Sequence, residues 1–346
     1  MLKRWIALLM CLVAALSFSA CSSTAPQVNS PEANAGQSNA QNAEKIQISV
    51  TFNAVKEFAE AVGKDKVIVS TIVPDGSKAH GFEPKAQDLV SLNDAQIFVY
   101  NGLGMDAWAE QAIQAANNQA LIVVNASEGA DVITRDTAST DHDEDEDAHD
   151  EDEHEHEEDA DHEDEHEENE HAGHSHGQYD PHLWLGLKGA QTSAINIKNA
   201  LIQADPDNKD FYQQNCDSFV AELEALYTEY KGKFDSLQNK NFVTGHAAFG
   251  YLCRDFGLEQ NSVRDIFAEG EPSAQQLAEL VEYCRTNKVT TIFAEEMASP
   301  AVSQTLASEV GAKVETIYTI ETNENGKTYL ERMAQNLAKI YESLAN

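Results

Sequence analysis

The chain has 346 residues, with 59 Asp plus Glu against 23 Lys plus Arg, 12 His, 5 Cys and a formal net charge of −36. Such a balance argues against a nucleic-acid partner, which needs a basic face to neutralise phosphates. The excess is local: 21 acids and no base lie between Asp141 and His171, and the remainder carries 38 acids against 23 bases, or −15.

Hydrophobic residues at 42% and this length suit two lobes, each with its own core. At the N-terminus Lys3 and Arg4 precede an apolar run from Trp5 to Phe18 and then small residues, the pattern of a secretory signal over 1–20. The run is too short for a membrane span, which takes roughly 20 residues. Leu16-Ser17-Phe18-Ser19-Ala20-Cys21 resembles a bacterial lipoprotein cleavage site, in which the cysteine becomes the lipidated first residue; Phe18 departs from the aliphatic residue usual there. A polar tether over 21–44 follows, as in membrane-anchored proteins.

Beyond the tether, short β-rich runs alternate with amphipathic segments. Strands are expected at Ile46 to Val50, Lys66 to Ile72, Gln96 to Tyr100 and Leu121 to Val124, with helices between them. Alternation of this kind predicts a parallel sheet with helical crossovers. The first lobe is assigned to 45–204 and includes an acidic, His-rich loop at 136–178, disordered because like charges repel and apolar residues are missing. A helix from about Ala190 to Gln203 closes this lobe.

Asp205-Pro206 then offers an N-cap carboxylate and a proline for a first helical turn. Tyr212, Cys216, Phe219, Leu223, Leu226, Tyr230 and Phe234 recur at steps of three or four, the mark of one long helix over 205–237. About 30 residues at 1.5 Å each would span roughly 45 Å, enough to brace two lobes. The second lobe, 238–346, repeats the alternation, with strands near Asn241 to Thr244, Ser262 to Ile266, Thr290 to Ala294 and Lys313 to Ile317 and a closing helix from about Thr328 to Leu344. The fold class is therefore α/β: two lobes with parallel sheets around a helical strut. A ligand would sit in the crevice between the carboxyl ends of their strands. Cys216, Cys253 and Cys284 fall in helical patterns. Export permits a disulfide between two of them, and each serves equally as a small buried apolar residue.

Nine of the 12 histidines lie in the acidic loop: His142, His149, His154, His156, His162, His166, His171, His174 and His176. Imidazoles and carboxylates crowded on a solvated segment collect metal cations weakly and raise their local concentration. His162-Glu163-Asp164-Glu165-His166 matches the metalloprotease H-E-x-x-H pattern, but its charged flanks lack the apolar helix face that gives the pattern meaning. Asn101-Gly102-Leu103-Gly104 is a turn after a strand, without a full phosphate-binding signature.

His80, His182 and His246 lie outside the loop, each at or just after an expected strand end or in a loop, facing one crevice. Three imidazoles with one oxygen ligand make a tetrahedral zinc site. Three segments carry a resemblance to a known family: Ala79-His80-Gly81-Phe82-Glu83-Pro84, Asp180-Pro181-His182-Leu183-Trp184-Leu185 and Gly245-His246-Ala247-Ala248-Phe249-Gly250-Tyr251-Leu252. With the acidic loop placed before the second motif, the sequence from about Ile46 to Asn346 resembles the metal-binding lipoproteins of bacterial ABC importers, zinc branch (ZnuA and AdcA type).

The resemblance implies two (β/α)4 lobes joined by a long rigid helix, with His80, His182 and His246 as the first three ligands. The fourth varies in the family; its position falls on Glu321, with water or Glu83 as alternatives. Manganese-type relatives place a carboxylate where this chain has His246, and three imidazoles with one carboxylate suit zinc better. The implied protein is a monomer held on the outer face of the cell membrane by a lipidated Cys21. It captures Zn2+ and passes it to a membrane permease with a cytoplasmic ATPase, without catalysis. A manganese or iron importer subunit of the same fold and a surface adhesin or zinc store are the alternatives. A zinc hydrolase would need an open coordination position and a base such as Glu83 or Glu296.

Deletion of Asp141 to His176 should leave the affinity of the tight site nearly unchanged and remove several weak zinc equivalents in a calorimetric titration. Unaltered total stoichiometry would contradict a collecting role for the loop.

Overall fold

The computed structural model describes residues 45–134, 178–265, 272–296, 300–324 and 326–345. The signal segment, Cys21, the tether and the nine loop histidines lie outside the described residues.

The first lobe is built from β1 (Ile46–Val50), α1 (Asn53–Gly63), β2 (Val67–Thr71), α2 (Ser91–Asp94), β3 (Ile97–Tyr100), α3 (Ala109–Ala115) and β4 (Ile122–Asn125). Its four strands lie parallel in the order β2-β1-β3-β4. The central β1 and β3 are nearly continuous runs of buried residues because helices cover both faces of a parallel sheet.

α4 (Leu187–Ala204) packs against the first lobe, as expected, and the long α5 (Lys209–Asp235) joins it to the second. Pro206 opens a short 3-10 turn, Pro206–Asn208, ahead of α5, so the long helix begins at Lys209, after the Asp-Pro pair. Asn208, not Asp205, is the N-cap residue of α5; the Asp205 carboxylate instead accepts hydrogen bonds from Asn208 Nδ2 at 2.6 Å and Tyr212 Oη at 2.8 Å. The 27 residues of α5 extend about 40 Å.

The second lobe comprises β5 (Asn241–His246), α6 (Gly250–Phe256), β6 (Glu259–Arg264), α7 (Ala274–Thr286), β7 (Thr291–Glu295), α8 (Ala301–Val310), β8 (Lys313–Ile317) and α9 (Tyr329–Ala345). Its sheet is again parallel, in the order β6-β5-β7-β8, which is the topology of the first lobe repeated. β6 begins three residues before its expected start. Glu259 and Gln260 carry none of the apolar character that marks a buried strand, since β6 is an edge strand and mostly half-exposed.

The apolar residues of α5 bury one face against both lobes. Tyr212, Cys216, Phe219, Leu223, Tyr230 and Phe234 are buried, and Leu226 is half-buried against the same core. This core is continuous, running from β1 and α1 through α5 to β5, β7 and α9. At its middle Phe58 of α1, Phe219 of α5 and Tyr329 of α9 form an aromatic triad, with centroids 5.9, 4.8 and 6.3 Å apart. Next to it Glu57 of α1 pairs with the fully buried Arg332 of α9 and accepts a hydrogen bond from Tyr329 N. Cys216, Cys253 and Cys284 are buried free thiols rather than bridged. Burial raises all three, Cys284 to about 11, so they act as small apolar packing residues.

Phe219→Ala should cost about 3–5 kcal/mol by leaving a cavity in the shared core. Because both lobes pack on that core, near-UV circular dichroism and intrinsic fluorescence should report one coincident denaturation shifted to lower denaturant. Two separate transitions would contradict a shared core.

Candidate metal centre

The carboxyl ends of both sheets face the same crevice, and each candidate histidine reaches it from a different segment. His246 is the last residue of β5, His80 lies in the loop after β2, and His182 precedes the 3-10 turn Leu183–Leu185 that leads into α4. His182 and His246 are buried and His80 is half-buried. Ring centroids lie 4.9 Å apart for His80 and His182, 5.4 Å for His182 and His246, and 6.0 Å for His80 and His246. One ligand atom from each ring lies within 4.8 Å of the others, so the three could share one ion.

Outer carboxylates orient two of the rings. His182 Nδ1 is 2.8 Å from Asp180 Oδ1, which also accepts from His182 N at 2.9 Å. That contact places the ring proton on Nδ1 and leaves the Nε2 lone pair for the crevice. His246 Nδ1 faces Glu295 Oε1 at 3.4 Å, and the same oxygen accepts from His246 N at 2.9 Å. His246 Nε2 is buried with no hydrogen-bond partner among the described residues, as expected of an atom meant for a metal. His80 Nε2 and His182 Nε2 are 2.8 Å apart. A tetrahedral zinc with bonds of about 2.0–2.1 Å holds its ligand atoms roughly 3.3 Å apart, so these two rings need part by about half an ångström.

Two glycines of the third motif make the outer carboxylates possible. A Cβ on Gly245 would lie 2.1 Å from Glu295 Oε2, and one on Gly250 would lie 2.6 Å from Asp180 Oδ2. Only a residue without a side chain lets each carboxylate approach. Tyr251 completes the seat by donating from its hydroxyl to Asp180 O at 2.7 Å. The Asn101-Gly102-Leu103-Gly104 turn has a place here too. Asn101 Nδ2 donates to Pro181 O at 2.9 Å, while Asp106 fastens the turn by accepting from Asn101 N at 2.6 Å and Gly102 N at 2.9 Å.

Burial holds the His80 pKa well below its ordinary 6.5, and the neighbouring His182, His246 and Lys78 lower it further. For Glu295, burial pushes the carboxyl up, but the hydrogen bond and charge of His246 outweigh it and leave the acid below its ordinary value. The centre therefore combines an uncharged His80 with an anionic partner behind His246, which suits capture of a cation.

The two acidic candidates sit differently. Glu321 is buried just after β8, and its Oε2 accepts from Ala79 N at 3.1 Å, the residue before His80. Glu83 is exposed. Among the described residues, the group able to share one ion consists of His80, His182 and His246, with neither carboxylate inside it. Glu296 accepts from Thr319 N and Ile320 N; burial raises its acid to about 7 against the pull of those N–H groups. Sequence reasoning missed Glu295 and gave Asp180 no role. Asp180 stands two residues before a ligand candidate and was findable, whereas Glu295 comes from a neighbouring strand.

The family model for ZnuA, zinc-uptake complex component A periplasmic, matches residues 48–343. A putative metal-binding protein of Treponema pallidum (strain Nichols) is 43% identical over 301 residues, 87% of each chain. The high-affinity zinc uptake system protein ZnuA of Bacillus subtilis (strain 168) is 32% identical over 349 residues, 99% of each chain. Among solved structures, the laminin-binding protein Lmb of Streptococcus agalactiae, described as bifunctional with adhesin and metal transporting activity, superposes with a TM-score of 0.71 at 29% identity, covering 87% of this chain and 100% of its own. With three crevice-facing imidazoles on a repeated α/β fold and a family match over nearly all of the described residues, this chain belongs to the ZnuA family of zinc-uptake binding proteins.

Proposed function

We propose that the protein captures Zn2+ between its two lobes outside the cytoplasm and delivers it to the permease of an ABC-type importer driven by a cytoplasmic ATPase. The observation that carries this reading is the convergence of imidazoles from three separate segments of both lobes on one point. His80, His182 and His246 supply three neutral nitrogens, and Glu321, whose carboxylate accepts from Ala79 N beside His80, supplies the fourth ligand by moving that carboxylate to the ion. A site filled by four protein ligands leaves no open position for water activation, so the protein binds without catalysing. Asp180 and Glu295 stiffen the donor rings and raise their basicity.

Residues 1–20 direct export, lipidated Cys21 anchors the mature chain, and 21–44 tether it at the membrane surface. No helix of the described residues is long and apolar enough to cross a membrane. The acidic loop gathers zinc loosely. The core shared through α5 restrains hinge opening, so release proceeds by local rearrangement around one ligand. Scattering that showed a wide lobe rotation between apo and zinc-bound forms would contradict this. A second reading, adhesion, draws on the Streptococcus agalactiae relative and is compatible with the same anchored architecture.

On the loop-deleted protein, alanine at His80, His182 or His246 should weaken the single tight zinc site by more than the ~10–100-fold that loss of an outer-sphere partner costs, and Asp180→Asn should fall within that range. Competition titration checks both; two histidine variants with wild-type affinity would overturn the assignment.

Proton linkage supplies a further expectation. His80 titrates lower in the folded protein than in the unfolded chain, so below about 6.5 the unfolded state binds more protons. The metal-free protein should therefore keep this contribution above that pH and lose stability progressively as pH falls toward the folded value. Chemical denaturation at several pH values should show His80→Ala with a shallower loss than wild type. An equal slope would remove His80 as its source.

A further inference from the structure

The segment Tyr318 to Thr322 follows β8 without forming helix or strand, yet all five of its residues are buried. A buried irregular backbone must find partners for its peptide groups, and here side chains provide them. Asn336 of α9 accepts from Tyr318 N at 2.9 Å and donates to Tyr318 O at 2.7 Å. Trp184 Nε1 donates to Thr319 O, and Arg332 Nη1 to Thr322 O, each at 2.7 Å. The two N–H groups at the centre, those of Thr319 and Ile320, both go to Glu296. Its oxygens accept from Thr319 N at 2.8 and 3.0 Å and from Ile320 N at 3.1 Å, with Thr319 Oγ1 at 3.3 Å.

Ile320 has φ +61°, in the left-handed region that a β-branched residue avoids. Such a conformation persists where its surroundings over-determine it. The residue it redirects is Glu321, which reaches the backbone beside His80. Glu296 also stands next to Glu295, the partner of His246, at the end of β7. Successive residues at a strand end point to opposite sides, so one strand end addresses two crevice segments.

We propose that Glu296 is a positioning residue for the fourth ligand: its carboxylate locks the Thr319 and Ile320 peptides in the left-handed turn that carries Glu321 to the metal. This rests on the reading of Glu321 as that ligand. Removing the Glu296 acceptor lets Ile320 relax to negative φ and swings Glu321 away, while the three imidazoles keep their places.

The test compares the full chain with Glu296→Ala, Glu296→Gln, Glu321→Gln and the Glu296→Ala/Glu321→Gln double variant. Zinc affinity is measured by chelator competition, and coordination by the visible absorption of the cobalt(II)-loaded protein. Glu296→Ala should weaken zinc by about 10–100-fold and alter the cobalt spectrum in the same way as Glu321→Gln. The double variant should bind no more weakly than Glu321→Gln alone, because the two residues act as one unit. Glu296→Gln, which keeps a carbonyl acceptor, should recover part of the loss. If Glu321→Gln weakens zinc but Glu296→Ala weakens it again by its full factor in that background, or leaves the cobalt spectrum as wild type, the positioning role is overturned and the ligand reading stands. A Glu321→Gln variant with wild-type zinc affinity and cobalt spectrum overturns both. Should Glu296→Ala not fold, Glu296→Gln alone and combined with Glu321→Gln makes the same comparison.

Discussion

His80 shares its crevice with two other imidazoles and can do so only while it carries no charge. Protonating His80 would place a cation in low dielectric beside two other basic rings, and burial with those neighbours is what keeps it neutral. The arrangement around the crevice follows from that constraint. Each ring must expose a lone pair inward, so its other nitrogen needs an acceptor, and Asp180 and Glu295 provide one for His182 and His246. Those carboxylates in turn need room, which Gly245 and Gly250 leave for them. The motifs that distinguish the chain are thus as much about seating carboxylates as about presenting histidines.

A site divided between lobes also demands that the lobes hold their relative position to a fraction of a bond length. His80 after β2 and His246 at the end of β5 meet at the carboxyl ends of the two sheets, and a core that runs through α5 packs against both lobes. Without that core, the donor rings would be set by a hinge, and the geometry would vary with every lobe motion.

Much of this was legible in the sequence because it depends on periodicity and local chemistry. Seven of the eight strands fall within a residue or two of their expected bounds, since buried parallel strands read as short apolar runs. The apolar positions of α5 were visible at helical spacing, and all but Leu226 are buried. The limits have equally physical causes. β6 is an edge strand whose polar residues give no strand signal, so its start was displaced. The Asp205-Pro206 pair marks a 3-10 turn because its carboxylate bonds side chains instead of the helix backbone. The three histidines could be chosen by exclusion from the acidic loop, whereas Glu295 depends on β7 lying beside β5, a pairing that sequence order does not state. Glu321 was placed by position in the chain; its turn is shaped by Glu296, Trp184, Asn336 and Arg332, none of them near it in sequence.

The aromatic triad of Phe58, Phe219 and Tyr329 has a consequence for how the chain comes into being. Its members lie in the first lobe, the strut and the closing helix, so the first lobe emerges from synthesis without the side chains that complete its packing. Contacts of such long sequence separation slow folding, because loop closure must precede the burial that rewards it. The shared core of a chain built this way is complete only once its last helix is in place.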